Sequence, residues 1–129
     1  MTTPSSAAAL LSVHPLHDLM KENVIAQIDL ELLSPADGKR ERIQLTIESP
    51  EREDEAHWYC IVTDPKNKEK MKVYGTDSLQ CLTLGMSHIG RRMNALKNEG
   101  FRWIYADTND DFPIAAYFPS SIESQIKAG

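Results

Sequence analysis

Leu79, Leu82, Met86, Ile89, Met93 and Leu96 follow one another at intervals of three, four, three, four and three residues. Only an α-helix places residues so spaced on one stripe, and the pattern predicts a helix over about 78–97. Thr76 or Asp77 can accept hydrogen bonds from the free N–H groups at its start. Arg91, Arg92 and Lys97 lie where the helix dipole favours cations, and Gly100 can end the helix in the left-handed conformation. Burying six such side chains contributes roughly 9–18 kcal/mol before chain entropy, at about 1.5–3 each. Gly85 and Gly90 interrupt the run, and each costs about 1 kcal/mol relative to alanine in a helix. Close approach to a sheet is the ordinary reason for such glycines; a backbone opened to a partner is the functional one.

The sheet is written ahead of the helix. In VIAQIDLELL, Val24, Ala26, Ile28, Leu30 and Leu32 alternate with Gln27, Asp29 and Glu31, the period of a half-buried strand. Pro35 and Asp37-Gly38 carry turn chemistry, and RERIQLTIE repeats the alternation with Ile43, Leu45 and Ile47 inward. WYCIVT and MKVYG read as third and fourth strands, FRWIY as a fifth, and IAAYF as a last short strand or extended edge. In FRWIY, Phe101, Trp103 and Tyr105 alternate with Arg102 and Ile104. The expectation is a two-layer α+β domain: an antiparallel meander of five to six strands packed on one long helix. Its limits are 23–119, with an N-terminal arm over 1–22 and a C-terminal tail over 120–129.

A chain of 129 residues is large enough for a hydrophobic core without staples or metals. Its net charge of −5 disfavours nonspecific binding to nucleic acid or anionic lipid and suits a basic protein partner. No run of about 18 apolar residues occurs, so no membrane span is expected. The segment Ala7 to Leu11 is short for a secretory core and lacks preceding basic residues, which predicts a cytoplasmic protein. Cys60 and Cys81 fall in a strand and a helix and are expected as free, partly buried thiols.

Catalytic and metal signatures are missing. His14 and His17 have no converging ligands beside them in sequence. Cys81 and His88 share a helix face but lie about 10.5 Å apart along the axis, too far to act together. No P-loop, GxGxxG, GxSxG or HExxH is present, so no enzyme activity, cofactor or metal is expected. The basic groups Lys66, Lys68, Lys70 and Lys72, and Arg91, Arg92, Lys97 and Arg102, lack the interleaved aromatics of a nucleic-acid footprint.

Acidic residues are more suggestive. Glu48, Glu51, Glu53, Asp54 and Glu55 crowd one loop; Asp107, Asp110 and Asp111 crowd another. Neither follows the calcium-loop pattern. Solvated loops are the ordinary explanation. The functional one is a docking surface that steers a basic partner, anchored by an exposed Phe112, Tyr117 or Phe118.

The order of elements, with Gly75, Asp77, Ser78, Leu79 and Gln80 at the helix start and Phe112-Pro113 after the aromatic strand, resembles a family of small bacterial α+β proteins marked by a Gly-x-Asp-Ser/Ala-Leu-Gln helix start. The resemblance covers about residues 24–119. Proteins of this look serve as immunity partners of polymorphic secreted toxins, including Rhs-type, contact-dependent and type VI effectors. What the resemblance implies is an immunity protein that occludes a cognate toxin domain, itself basic and a nuclease or nucleotide-using enzyme. Glu51, Glu53, Asp54, Glu55, Asp107, Asp110, Asp111 and Phe112 are the expected contact residues. The chain is expected to be a monomer or weak dimer; the competing expectation is a self-associating structural or regulatory module.

Overall fold

The computed structural model describes residues 23–118. The expected arm and the whole of the expected tail lie outside them. The elements, in chain order, are β1 (Val24–Leu33), β2 (Arg40–Glu48), β3 (Glu51–Arg52), β4 (Trp58–Thr63), β5 (Lys70–Gly75), α1 (Ser78–Asn98), β6 (Arg102–Tyr105) and α2 (Ile114–Tyr117). All the strands form one antiparallel sheet. β2 and β3 are two segments of one line, flanked by β1 on one side and β4 on the other. β5 pairs with β4 at one edge and β6 with β1 at the other. The helix crosses one face between those edges, touching β4, β5 and β6. This is the expected two-layer α+β arrangement.

Two turns hold the meander in register, and they have the same construction. In Ser34–Lys39 and Asp64–Glu69 the first residue's N–H donates to the carbonyl of the sixth, and the fifth residue's N–H donates back to the first carbonyl. The first side chain accepts from the third N–H and the fourth side chain from the sixth, through Ser34 and Asp37 in one turn and Asp64 and Asn67 in the other. Pro35 and Pro65 share the second position. The fifth position requires positive φ: Gly38 has φ 71° and Lys68 has φ 66°. That conformation costs a non-glycine residue about 1–2 kcal/mol, while the exposed Lys68–Glu41 ion pair returns about 0–1. Lys68→Gly is therefore expected to leave the urea midpoint unchanged or raise stability by up to about 2 kcal/mol, against the ordinary loss of about 1 for glycine in regular structure. A drop would contradict this account of the turn.

α1 starts as its sequence dictates. Asp77 is the N-cap and its carboxylate accepts from Gln80 N–H at 2.8 Å. Gln80 Oε1 reaches back to Thr76 N–H at 2.7 Å. The helix start also presses on the end of β5: a Cβ on Gly75 would meet the Cys81 backbone nitrogen at 2.9 Å. The interior glycines serve close approach. A Cβ on Gly85 would meet Val62 at 3.0 Å, and one on Gly90 would meet Phe118 at 2.8 Å.

Three expectations need correction. The buried line of the helix runs through Cys81, Gly85, Ile89, Met93 and Leu96, whereas Leu79 is 71% exposed and Leu82 and Met86 are only half-buried. A 3.5-residue stripe drifts around a 3.6-residue helix by about 20° per heptad, so its first half turns away from the sheet. Ile104, which the alternation sets on the face opposite Trp103, is fully buried although Trp103 is buried as well. Residues 105–112 double back along β6, with Tyr105 N–H on the Asp110 carbonyl at 3.0 Å and Phe112 N–H on the Trp103 carbonyl at 2.8 Å. That return occupies the edge where IAAYF was expected as a strand. Pro113 instead caps a single helical turn, closed by Phe118 N–H on the Ile114 carbonyl at 2.8 Å.

Candidate functional site

The two acidic stretches lie toward opposite ends of the sheet. Asp107 reaches Arg42, and Glu51 follows Arg42 by nine residues along the β2–β3 line, a span of roughly 30 Å at about 3.3 Å per residue.

The first stretch is a hydrogen-bonded hairpin. Glu51 and Arg52 pair with Tyr59 and Trp58, and Glu53 N–H donates to the His57 carbonyl at 2.9 Å. Asp54 folds the tip: its carboxylate accepts from Ala56 N–H at 2.9 Å and faces His57 Nδ1 at 2.8 Å. The Ala56 N–H, then the His57 side chain, hold that carboxyl below its ordinary pKa. Arg52 spends its donors on the Asp54 and Glu55 carbonyls. Among the described residues Glu51 accepts only from the Tyr59 hydroxyl, at 3.2 Å, and its charge pushes the Tyr59 pKa up. Among the described residues Glu51, Glu53 and Glu55 have no cationic partner. Asp54 thus builds the tip, and the three glutamates are the groups it presents. Glu48 does not belong with them; it is buried and paired with Lys70 at 2.9 Å.

Aromatic surface lies beside this hairpin where spacing alone had not placed it. Tyr59 and Tyr74 are register partners on the face away from the helix, 6.0 Å apart between ring centroids, with Lys72 Nζ 4.4 Å from the Tyr59 ring centre. Tyr74 is among the most exposed large side chains. The outward phase of Tyr59 and Tyr74 in WYCIVT and MKVYG was the available signal.

The second stretch is stitched to its own arginines. Asp107 pairs with Arg42 at 3.4 Å and Asp111 with Arg102 at 2.8 Å, while Arg40 binds the Thr108 carbonyl at 2.7 Å and the Asn109 side chain. Only Asp110 keeps a carboxylate without an ion pair there among the described residues. Phe112 is no exposed anchor: it is 4% exposed, packed against Tyr105, Tyr117 and Phe118. Phe118 is buried too, and of the three expected aromatic anchors only Tyr117 is exposed.

An ionic cluster around the buried Asp64 joins a turn to the helix. Asp64 accepts from Lys66 N–H at 2.7 Å and Arg92 Nε at 3.2 Å, and faces His88 Nε2 at 3.0 Å. Burial alone would raise the Asp64 pKa, but the contacts from His88, Lys66, Asn67 and Arg92 together lower it. The cluster clamps the β4–β5 turn onto α1. Both cysteines are free and fully buried. Burial pushes the Cys60 thiol up to about 11, and its Sγ–H donates to the Cys81 carbonyl at 3.2 Å, so it is protonated at neutral pH and unsuited to nucleophilic work. Among the described residues no group of three or more His, Cys, Asp or Glu side chains could hold a metal ion, and no helix is long and apolar enough to cross a membrane.

No curated protein and no solved structure matches the chain. A family model does, over residues 29–114, from the second half of β1 to the start of α2. By that match, which takes in most of the sheet and all of α1, the chain belongs to the DUF6968 family, a domain of unknown function.

Proposed function

We propose that the chain is a non-catalytic cytoplasmic immunity protein that binds one cognate secreted toxin domain and blocks its active site. The observation that carries the reading is the β3–β4 hairpin, which presents Glu51, Glu53 and Glu55 without cationic partners among the described residues, beside the exposed ring of Tyr74 and the ring of Tyr59. Uncompensated carboxylates steer a basic partner into encounter, and adjacent aromatic surface supplies contact area once it arrives. A basic active-site cleft, such as that of a nuclease, is the surface this hairpin complements. The toxin-neutralising role itself rests on the resemblance of the Gly75–Gln80 helix start and the Phe112-Pro113 pair to small bacterial immunity proteins.

The binding half of the proposal is tested by co-expressing the chain with the C-terminal domain of the neighbouring large reading frame and purifying through a tag on one of them. A 1:1 complex is expected, of a size near 800 Å² buried per partner. Recovery of the chain without that domain would refute the pairing. A second reading, self-association, is favoured by one observation: β6 pairs with β1 only over Leu30–Leu33, and the Val24–Asp29 half is paired on the β2 side alone among the described residues. Light scattering on the purified chain separates the two, since self-association predicts a homodimer with no other partner.

A further inference from the structure

The face of the sheet turned away from α1 carries a polar row across four strands. Val62 faces the helix at Gly85, so its neighbour Thr63 points the other way. Gln27 and Thr46 are register partners on β1 and β2, as Thr63 and Lys70 are on β4 and β5. Where the two pairs meet, the ladder gives way to side chains. β2 and β4 share one register pair, Ile47 with Val62. Beside it Thr46 N–H donates to Thr63 Oγ1 at 3.1 Å, and the two hydroxyls meet at 2.8 Å. Two hydroxyls bring two protons, and that contact uses one. The other has no acceptor among the described residues, although Thr46 and Thr63 are only 7% and 5% exposed. A buried donor without an acceptor is costly, so this proton calls for an oxygen in the space above it.

That space is a pocket of about 260 Å³ over the row, walled by Gln27, Gln44, Lys68 and Lys70, with Thr46 and Thr63 also lining it. Its walls are richer in donors than in acceptors. Lys70 spends one of its three ammonium protons on Glu48, and Lys68 spends one on Glu41. Gln44 gives one amide proton to Asp29, and Gln27 makes no side-chain hydrogen bond among the described residues. Lys68 and Glu41 form an exposed pair, of the kind that holds little energy, so a ligand can recruit that ammonium. The buried Glu48 keeps Lys70 in place. The volume is below that of drug-sized sites, roughly 300–1,000 Å³, which limits the ligand to a few carbons. We propose that this pocket binds a phosphate monoester of a small polyol. Lys68, Lys70 and the spare threonine proton hold the phosphate oxygens, and the carboxamides of Gln27 and Gln44 hold the hydroxyls. The inference stands apart from the toxin-binding proposal, because it uses none of Glu51, Glu53 and Glu55.

The test is an amide NMR titration of the full chain with glycerol 3-phosphate, glycerol and inorganic phosphate, each at constant ionic strength. Saturable shifts at Thr46, Thr63 and Lys70 are expected with glycerol 3-phosphate, with a dissociation constant on the order of 1 mM. Glycerol and inorganic phosphate should each bind about tenfold more weakly, since each keeps only part of the contacts. Lys68→Gly leaves the turn intact and Gln27 is exposed, so Lys68→Gly and Gln27→Leu should each weaken binding several-fold without unfolding the chain. Lys66→Ala, in the same turn but outside the pocket lining, should leave binding unchanged. Equal affinity for inorganic phosphate would overturn the polyol ester in favour of free phosphate. An equal loss in Lys66→Ala would overturn the pocket in favour of general attraction to the lysines. Absence of saturable shifts would overturn it outright, leaving the spare hydroxyl to water.

Discussion

Asp64→Ala is expected to lower stability by about 3 kcal/mol, the low end of the range for removing one partner of a buried ion pair. The low end applies because Arg92 and His88 are part-exposed and recover some water when the carboxylate goes. The loss is still large because one carboxylate serves two tasks. It satisfies the Lys66 and Asn67 N–H groups that shape the turn, and it ties that turn to α1 through His88 and Arg92. With a urea slope of about 1–3 kcal/mol per molar, the midpoint should fall by at least about 1 M. Asp64→Asn keeps an acceptor for the turn but no charge for the helix, so it should fall between. The pH dependence has a definite sign. The folded pKa of Asp64 lies below its unfolded value near 3.9. Its contribution is therefore fully present above about pH 4 and lost as pH falls through the folded pKa. The wild-type chain should lose stability on acidification below pH 4, and the Asp64→Ala chain should lose less over the same interval. Parallel acid profiles would show that the carboxylate is not coupled to folding.

The triple reversal Glu51→Lys, Glu53→Lys and Glu55→Lys is expected to weaken partner binding about 100-fold at low salt, with most of the loss in the association rate. Steering by an uncompensated charged surface changes on-rates by about 10–10³. Three reversals move the net charge from −5 to +1, and the effect should shrink as salt shortens the Debye length to about 8 Å at physiological ionic strength. All three side chains are exposed, so folding stability should change by no more than about 0.5 kcal/mol. Asp54 is left alone because its carboxylate closes the hairpin tip. Neutralising Asp107 and Asp111 is the matched comparison: their charges are already engaged by Arg42 and Arg102, and a several-fold effect at most is expected. Losses that merely follow the charge moved, +6 in the first set and +2 in the second, would mean that net charge, rather than the hairpin, governs binding.

The sequence was legible where one period met one neighbour. The β1–β2 hairpin, β4, β5 and the capped start of α1 follow from alternation, turn residues and Asp77, and tertiary packing did not override them. It misled where two structures competed for one position. IAAYF has strand composition, but its edge is taken by Asp110–Phe112, whose pairing with β6 involves backbone groups that composition does not reveal. The six-residue helical stripe is genuine in sequence, yet the sheet contacts only the part toward which the helix drifts, so Leu79 stays bare. The acidic site was half legible. Counting carboxylates found both stretches but could not tell that Arg40, Arg42 and Arg102, distant from one of them in sequence, would converge on residues 107–111. Phe112 looked like a loop anchor because it follows two aspartates. The bridge that returns the chain along β6 turns it inward instead.

Neutralisation of a toxin is the central claim, and survival measures it most directly. The C-terminal domain of the neighbouring large reading frame is expressed in a bacterial host alone, with the wild-type chain, and with the Glu51, Glu53 and Glu55 reversal. The predicted result is killing by the domain alone, full growth with the wild-type chain, and killing again with the reversed chain at equal expression. A domain that is harmless alone, or that kills regardless of the wild-type chain, would contradict it.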